Sequence, residues 1–87
     1  MSDLYHGEML WSLYILECAD GSYYTGISND LESRIKAHNE GLGAKYTRGR
    51  GPVTLLASKS FENRSEASKA EAFVKKLPKS NKLGFFK

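Results

Sequence analysis

The chain has 87 residues, 40% of them hydrophobic and 26% charged, with one cysteine and a net charge of +3. That length holds a single domain burying only about 60 to 65% of its unfolded surface, and the composition excludes a disordered tail, a repeat array and a disulfide-stapled framework. The charge is split: residues 1–40 carry seven acids and two bases (−5) and residues 41–87 three acids and eleven bases (+8), and a basic half of this kind suits a polyanionic partner that releases counterions on binding.

Residues 1–10 show no periodicity and read as a tail ahead of one domain, 11–87. Asp3 and Glu8 stand there without the basic and apolar regions of a secretory signal. The apolar stretch Trp11 to Cys18 is broken by Ser12 and Glu17, and it falls far short of the ~20 residues of a membrane span. No membrane association is expected. Cys18 has no partner for a disulfide, which fits a cytoplasmic setting and a small buried hydrophobe.

Trp11 to Cys18 alternates and is rich in aromatic and branched side chains, Asp20-Gly21 is a turn signal, and Tyr23 to Ile27 returns. This pattern predicts a β-hairpin. Asn29 offers an N-cap with Glu32 three residues later, and Gly41 a stop, for a helix of about 30–40. Leu31 and Ile35 mark its apolar stripe, with Arg34 and His38 four apart beside them. The glycine-rich basic segment GLGAKYTRGRGP precedes a third strand, Val53 to Phe61. Asn63 or Ser65 caps a second helix of about Glu66 to Leu77, with Ala67, Ala70, Val74 and Leu77 facing inward, and Pro78 ends it. The closing KSNKLGFFK adds at most a short helical turn.

The length of the hairpin loop decides which tyrosines can meet. A two-residue loop, Asp20-Gly21, puts Tyr14 and Tyr24 on opposite faces. A three-residue loop, Ala19-Asp20-Gly21 with Gly21 left-handed, sets Tyr14 opposite Gly26 and Leu16 opposite Tyr24. Tyr14 and Tyr24 then become diagonal neighbours roughly 7 to 8 Å apart. Tyr23 faces the other way, and Gly26 leaves room for a phenol and a phosphate.

The order ββαβα, with Ser12-Leu13-Tyr14 and Tyr24-Thr25-Gly26 in the first two strands, resembles the GIY-YIG nuclease superfamily. Arg34 matches that family's arginine, His38 a position often held by histidine or tyrosine, and Glu71 its metal-binding glutamate. The resemblance spans about residues 11–83 and is to the small free-standing bacterial YhbQ-like (UPF0213-type) members, related to the nuclease domain of UvrC. Two positions depart from the pattern: Ser12 replaces the first glycine, and Ile27 stands where UvrC-type members carry a lysine.

The resemblance implies an α+β fold, a small three-stranded antiparallel sheet with flanking helices. It also implies a divalent-metal-dependent DNA endonuclease with water as nucleophile. Single-stranded or branched DNA in repair or processing is the expected substrate, DNA rather than RNA. The alternatives are an inactive nucleic-acid-binding module of the same fold and a protein-interaction adaptor.

Phosphodiester hydrolysis needs a route for the nucleophile's proton and positive charge at the transition state. Tyr14 or Tyr24 is the candidate base, and a phenol with a pKa near 10 is ionised only to about one part in a thousand at neutral pH, so a nearby cation is expected to lower it. Arg34 is the phosphate clamp, His38 a proton relay, and Glu71 the single protein ligand of one Mg²⁺ or Mn²⁺. Lys45, Tyr46, Arg48 and Arg50 are expected to contact phosphates and bases.

Overall fold

The computed structural model describes residues 10–87; the expected tail, 1–10, lies outside them except for the exposed Leu10. Strand β1 is Trp11–Glu17 and β2 is Tyr23–Ser28, followed by helix α1, Leu31–Asn39. A short 3-10 turn, Lys45–Thr47, leads to β3, Thr54–Phe61. Helix α2, Arg64–Lys75, a single turn α3, Lys79–Lys82, and a 3-10 turn, Leu83–Phe86, close the chain.

The hairpin takes the three-residue loop. Gly21 has φ +87°, and the Cys18 amide donates to the Ser22 carbonyl at 2.8 Å. Asp20 reinforces the turn by accepting from the amide and hydroxyl of Ser22 at 3.0 and 2.6 Å, the local bonding that favours Asp in turns. The register therefore pairs Tyr14 with Gly26 and Leu16 with Tyr24.

All three strands form one antiparallel sheet in the order β2-β1-β3. A bulge between Ile15 and Leu16 interrupts the β1–β3 ladder. The central β1 is buried on both faces, and its alternation sorts the core. Tyr14, Leu16, Cys18 and Val53 cluster on one face beneath Leu31 and Ile35 of α1. Leu13 and Ile15 meet Val74 of α2 on the other, with Tyr23, Ile27, Ala70 and the C-terminal Leu83, Phe85 and Phe86 against them. The closing segment thus packs on the core as two turns, more structure than its sequence promised. Each large side chain so buried contributes about 1.5 to 3 kcal/mol.

Element ends shift slightly from the sequence expectation. Asp30 rather than Asn29 caps α1, accepting from the Ser33 amide at 3.3 Å, because Ser28 Oγ accepts from the Asp30 amide at 2.9 Å and fixes the entry to the helix. Helix α2 starts and ends two residues earlier than expected: Asn63 is its cap, accepting from the Glu66 amide at 2.9 Å. Of its expected inward stripe, Ala67 and Val74 are buried and Ala70 half-buried, while Leu77 falls beyond the helix end. Val53 stays outside β3, its amide donating to Asn39 Oδ1 at 2.7 Å.

Candidate active site

The site forms where β1, β2, α1 and the loop after α1 meet. The register carries Tyr14 and Tyr24 to one face, their ring centroids 6.3 Å apart. Tyr23 turns into the opposite cluster. Tyr14 lies over Gly26: a Cβ there would stand 2.7 Å from the Tyr14 hydroxyl and 2.9 Å from the Tyr24 ring. No side chain fits at that position without moving a phenol.

His38 is buried in the last turn of α1 and reaches the same phenol, its Nε2 3.1 Å from Tyr14 Oη. Its Nδ1 lies 2.8 Å from Thr47 Oγ1, and that hydroxyl donates to the Ala44 carbonyl at 2.9 Å. The directions follow from counting hydrogens. Thr47 has one, and Ala44 accepts it, so Thr47 receives a hydrogen from His38 Nδ1. Neutral His38 then has Nε2 free to accept, and Tyr14 donates to it. All three side chains are 1% exposed.

Burial, and then the charge of Arg34, hold His38 below its ordinary pKa of 6.5, so the ring is neutral at neutral pH. Burial pushes Tyr14 up to about 12; the Arg34 guanidinium beside it pulls the other way, and Tyr24 and Glu71 add to the rise. The expected lowering by a cation is therefore present in Arg34 but outweighed by desolvation. Tyr14 is a phenol poised to donate to His38, not a standing phenolate.

Arg34 is half-buried and also lines a surface cleft with Ser33, Ala37 and Trp11. Glu71 arrives from α2, near enough to Tyr14 to raise its pKa. Its carboxylate side chain is 20% exposed and lies 3.1 Å from Lys75 Nζ. Among the described residues no cluster of three or more His, Cys, Asp or Glu gathers to hold a metal. A single, partly exposed carboxylate that already holds a cationic group fits a hard divalent cation of the Mg²⁺ kind rather than a closed cage.

The loop after α1 has an inward role that its composition conceals. Besides Thr47, Gly43 packs on His38, and a Cβ there would run into the imidazole. Lys45 and Arg48 are exposed. Tyr46 stacks on Tyr24 with centroids 6.1 Å apart, and Arg50 lies 4.2 Å above the Tyr46 ring while pairing with Asp20 at 2.7 Å. Sequence reasoning missed Thr47 and Gly43: a threonine in a basic loop carries no periodic signal, and its partner is nine residues away on a helix.

The GIY-YIG catalytic domain family matches residues 10–84, covering every residue placed in the site above. The chain belongs to the GIY-YIG family. A UPF0213 protein of Clostridium perfringens is 59% identical over 71 residues, 82% of this chain and 76% of its own. A UPF0213 protein of Xanthomonas axonopodis pv. citri is 52% identical over 86% of this chain and 74% of its own. Two solution NMR structures share the fold. The UPF0213 protein of Bacillus halodurans is 49% identical with TM-score 0.56, covering 88% of this chain and 82% of its own. A protein of E. faecalis is 45% identical with TM-score 0.61, covering 87% and 81%. The GIY-YIG domain here is a nuclease-family domain whose second glycine, Gly26, is required by packing, while Ser12 at the first glycine position sits in regular strand pairing with Ser28 and Ser60. Among the described residues no helix is long and apolar enough to cross a membrane.

Proposed function

We propose that the protein is a metal-dependent endonuclease that hydrolyses phosphodiester bonds of DNA with water as nucleophile, single-stranded or branched DNA being its substrate. The observation that carries this reading is the buried chain from Tyr14 through His38 to Thr47, with Arg34 and Glu71 converging on the same phenol. A structural tyrosine needs one hydrogen-bond partner, not an oriented relay flanked by a cation and a carboxylate.

In this reading Tyr14 is the base, acting through His38. The attacking water gives its proton to Tyr14 Oη as the phenol's own proton passes to His38 Nε2. One P–O bond forms to the water oxygen and one P–O bond to a sugar oxygen breaks. The departing sugar oxygen takes up a proton from solvent, and the extra proton on His38 returns through Tyr14 to solvent as product leaves. This route never requires a free phenolate, which a pKa of about 12 would make rare.

Arg34 offers its planar donors to the non-bridging phosphate oxygens. Tyr24, its centroid 5.1 Å from the His38 ring, walls the relay and supports Tyr46. Glu71 is the residue that would hold one Mg²⁺ or Mn²⁺, which supplies charge stabilisation at the leaving oxygen when bound. Lys75 must then release the carboxylate. Lys45 and Arg48 provide non-specific phosphate contacts, consistent with positioning rather than sequence readout.

The test is a cleavage panel of single-stranded, duplex and branched DNA and of RNA, each with Mg²⁺, Mn²⁺ or EDTA. Metal-dependent internal cleavage of single-stranded or branched DNA is the expected result. Binding without cleavage of any substrate in either metal would overturn the nuclease reading and leave a binding module.

A further inference from the structure

Strand β2 is an edge strand, and its outer edge is not bare. Two surface grooves run along it. One, beside the active site, is lined by Tyr23, Tyr24, Tyr46, Lys75 and Lys82; the other continues to the hairpin turn, lined by Tyr23, Tyr46, Lys79 and Lys82. They share Tyr23, Tyr46 and Lys82, so they form one path from Tyr24 to the turn.

The composition of this path is specific. Three phenol rings and three lysines, these from the end of α2 and from α3, line it. Asp20 is the one acid in its lining, and it is paired with Arg50 at 2.7 Å. Lys79 is fixed in place, its Nζ donating to the Gly21 carbonyl at 2.6 Å and lying 4.5 Å from the Tyr23 ring centroid. An ammonium has two further hydrogens to give.

We propose that this edge groove is the track of an unpaired DNA strand leading to the scissile phosphate, with Lys79 and Lys82 on the backbone and the tyrosine edge beneath the bases. The inference rests on the nuclease reading for its direction and extends it to residues outside the catalytic group. Aromatic rings interleaved with cations bind single strands because unpaired bases expose π-faces and the backbone supplies charge. A duplex presents its phosphates but keeps its bases stacked, so it gains nothing from the phenols. Tyr23, which faces away from the relay, thereby gains a role at the strand edge while its ring packs on the second core cluster.

The experiment measures binding in EDTA, which separates it from turnover. Fluorescence anisotropy is read with labelled oligothymidine of about 12 nucleotides, inside the range of about 4 to 16 that single-strand-binding folds occupy, and with a blunt duplex of equal length. Lys79→Gln should lower the salt slope for the single strand by about 0.7, an affinity loss of roughly fivefold to tenfold near 50 mM salt when the two lines meet near 1 M. Lys79→Arg should retain the slope. Lys59→Gln, on the opposite edge strand, should bind as wild type, and circular dichroism checks that each variant is folded.

Wild-type binding by folded Lys79→Gln would overturn the track while leaving a cleaving enzyme intact. An equal loss for single strand and duplex would overturn the unpaired-strand assignment. A selective loss in a protein that never cleaves would uphold the track and remove the nuclease reading instead.

Discussion

Thr47→Val replaces a hydroxyl by a methyl of nearly the same shape at a position 1% exposed. Packing is kept, so the effect reports on the hydrogen bonds from His38 Nδ1 and to the Ala44 carbonyl, 2.8 and 2.9 Å in the native protein. Leaving a buried donor unsatisfied costs about 1 to 3 kcal/mol. The ring can escape that cost by moving its hydrogen to Nε2, but Nε2–H then points at the Tyr14 hydroxyl and can no longer take its proton. That shift disables the relay, with a rate loss of about 10² to 10⁴ expected if proton transfer depends on it. Long-range ¹⁵N–¹H correlation of the His38 ring reads the tautomer directly, and single-turnover cleavage reads the rate. The native protein should show hydrogen on Nδ1, Thr47→Val should lose that signature, and Thr47→Ser should restore both readouts. Hydrogen on Nε2 in the native protein, or undiminished cleavage by Thr47→Val, would rule out the relay.

The tyrosines separate in the same assay. Tyr14→Phe should lose about 10² to 10⁴ in rate, Tyr24→Phe less, since its hydroxyl lies outside the relay, and Tyr23→Phe almost nothing; a silent Tyr14→Phe would reassign the base. Gly26→Ala would place a methyl 2.7 Å from the Tyr14 hydroxyl, so urea denaturation should show a loss of about 1 to 3 kcal/mol from overpacking, and unchanged stability would show that the phenol can move aside. The pH–rate profile should have its acid limb below 6.5, because burial and Arg34 depress the His38 pKa and protonation removes the acceptor for Tyr14. The same depression makes the unfolded chain take up its proton first, so this group's contribution to stability is full above 6.5 and declines as pH falls through the folded value. An acid limb above 6.5 would contradict the assignment.

Much of this arrangement was legible in the sequence, for reasons that particular residues make plain. Period-two alternation through Trp11 to Glu17 and the Asp20-Gly21 turn specify a hairpin, and requiring Tyr14 and Tyr24 on one face selects the three-residue loop that the structure contains. Arg34 and His38 follow from helical spacing. What stayed hidden depends on contacts between segments distant in sequence. The hydrogen bond from His38 to Thr47 joins a helix to an irregular loop. Arg50 reads as a free cation until its partner Asp20, thirty residues away, is seen beside it. The Tyr14 pKa depends on how far burial outweighs Arg34, a balance of depth that residue identity does not encode.

Hydrolysis at Tyr14 with a cation held by Glu71 is the step on which the proposed activity depends. Single-turnover cleavage of single-stranded DNA by wild type and by Glu71→Gln in Mg²⁺, with binding of the same strand measured in EDTA, tests it most directly. Glutamine keeps the shape of the side chain and removes its charge. Cleavage should fall by orders of magnitude while binding in EDTA is not weakened, since no cation is removed and Lys75 only loses its carboxylate partner. Full cleavage by Glu71→Gln, or wild-type cleavage undiminished in EDTA, would contradict it.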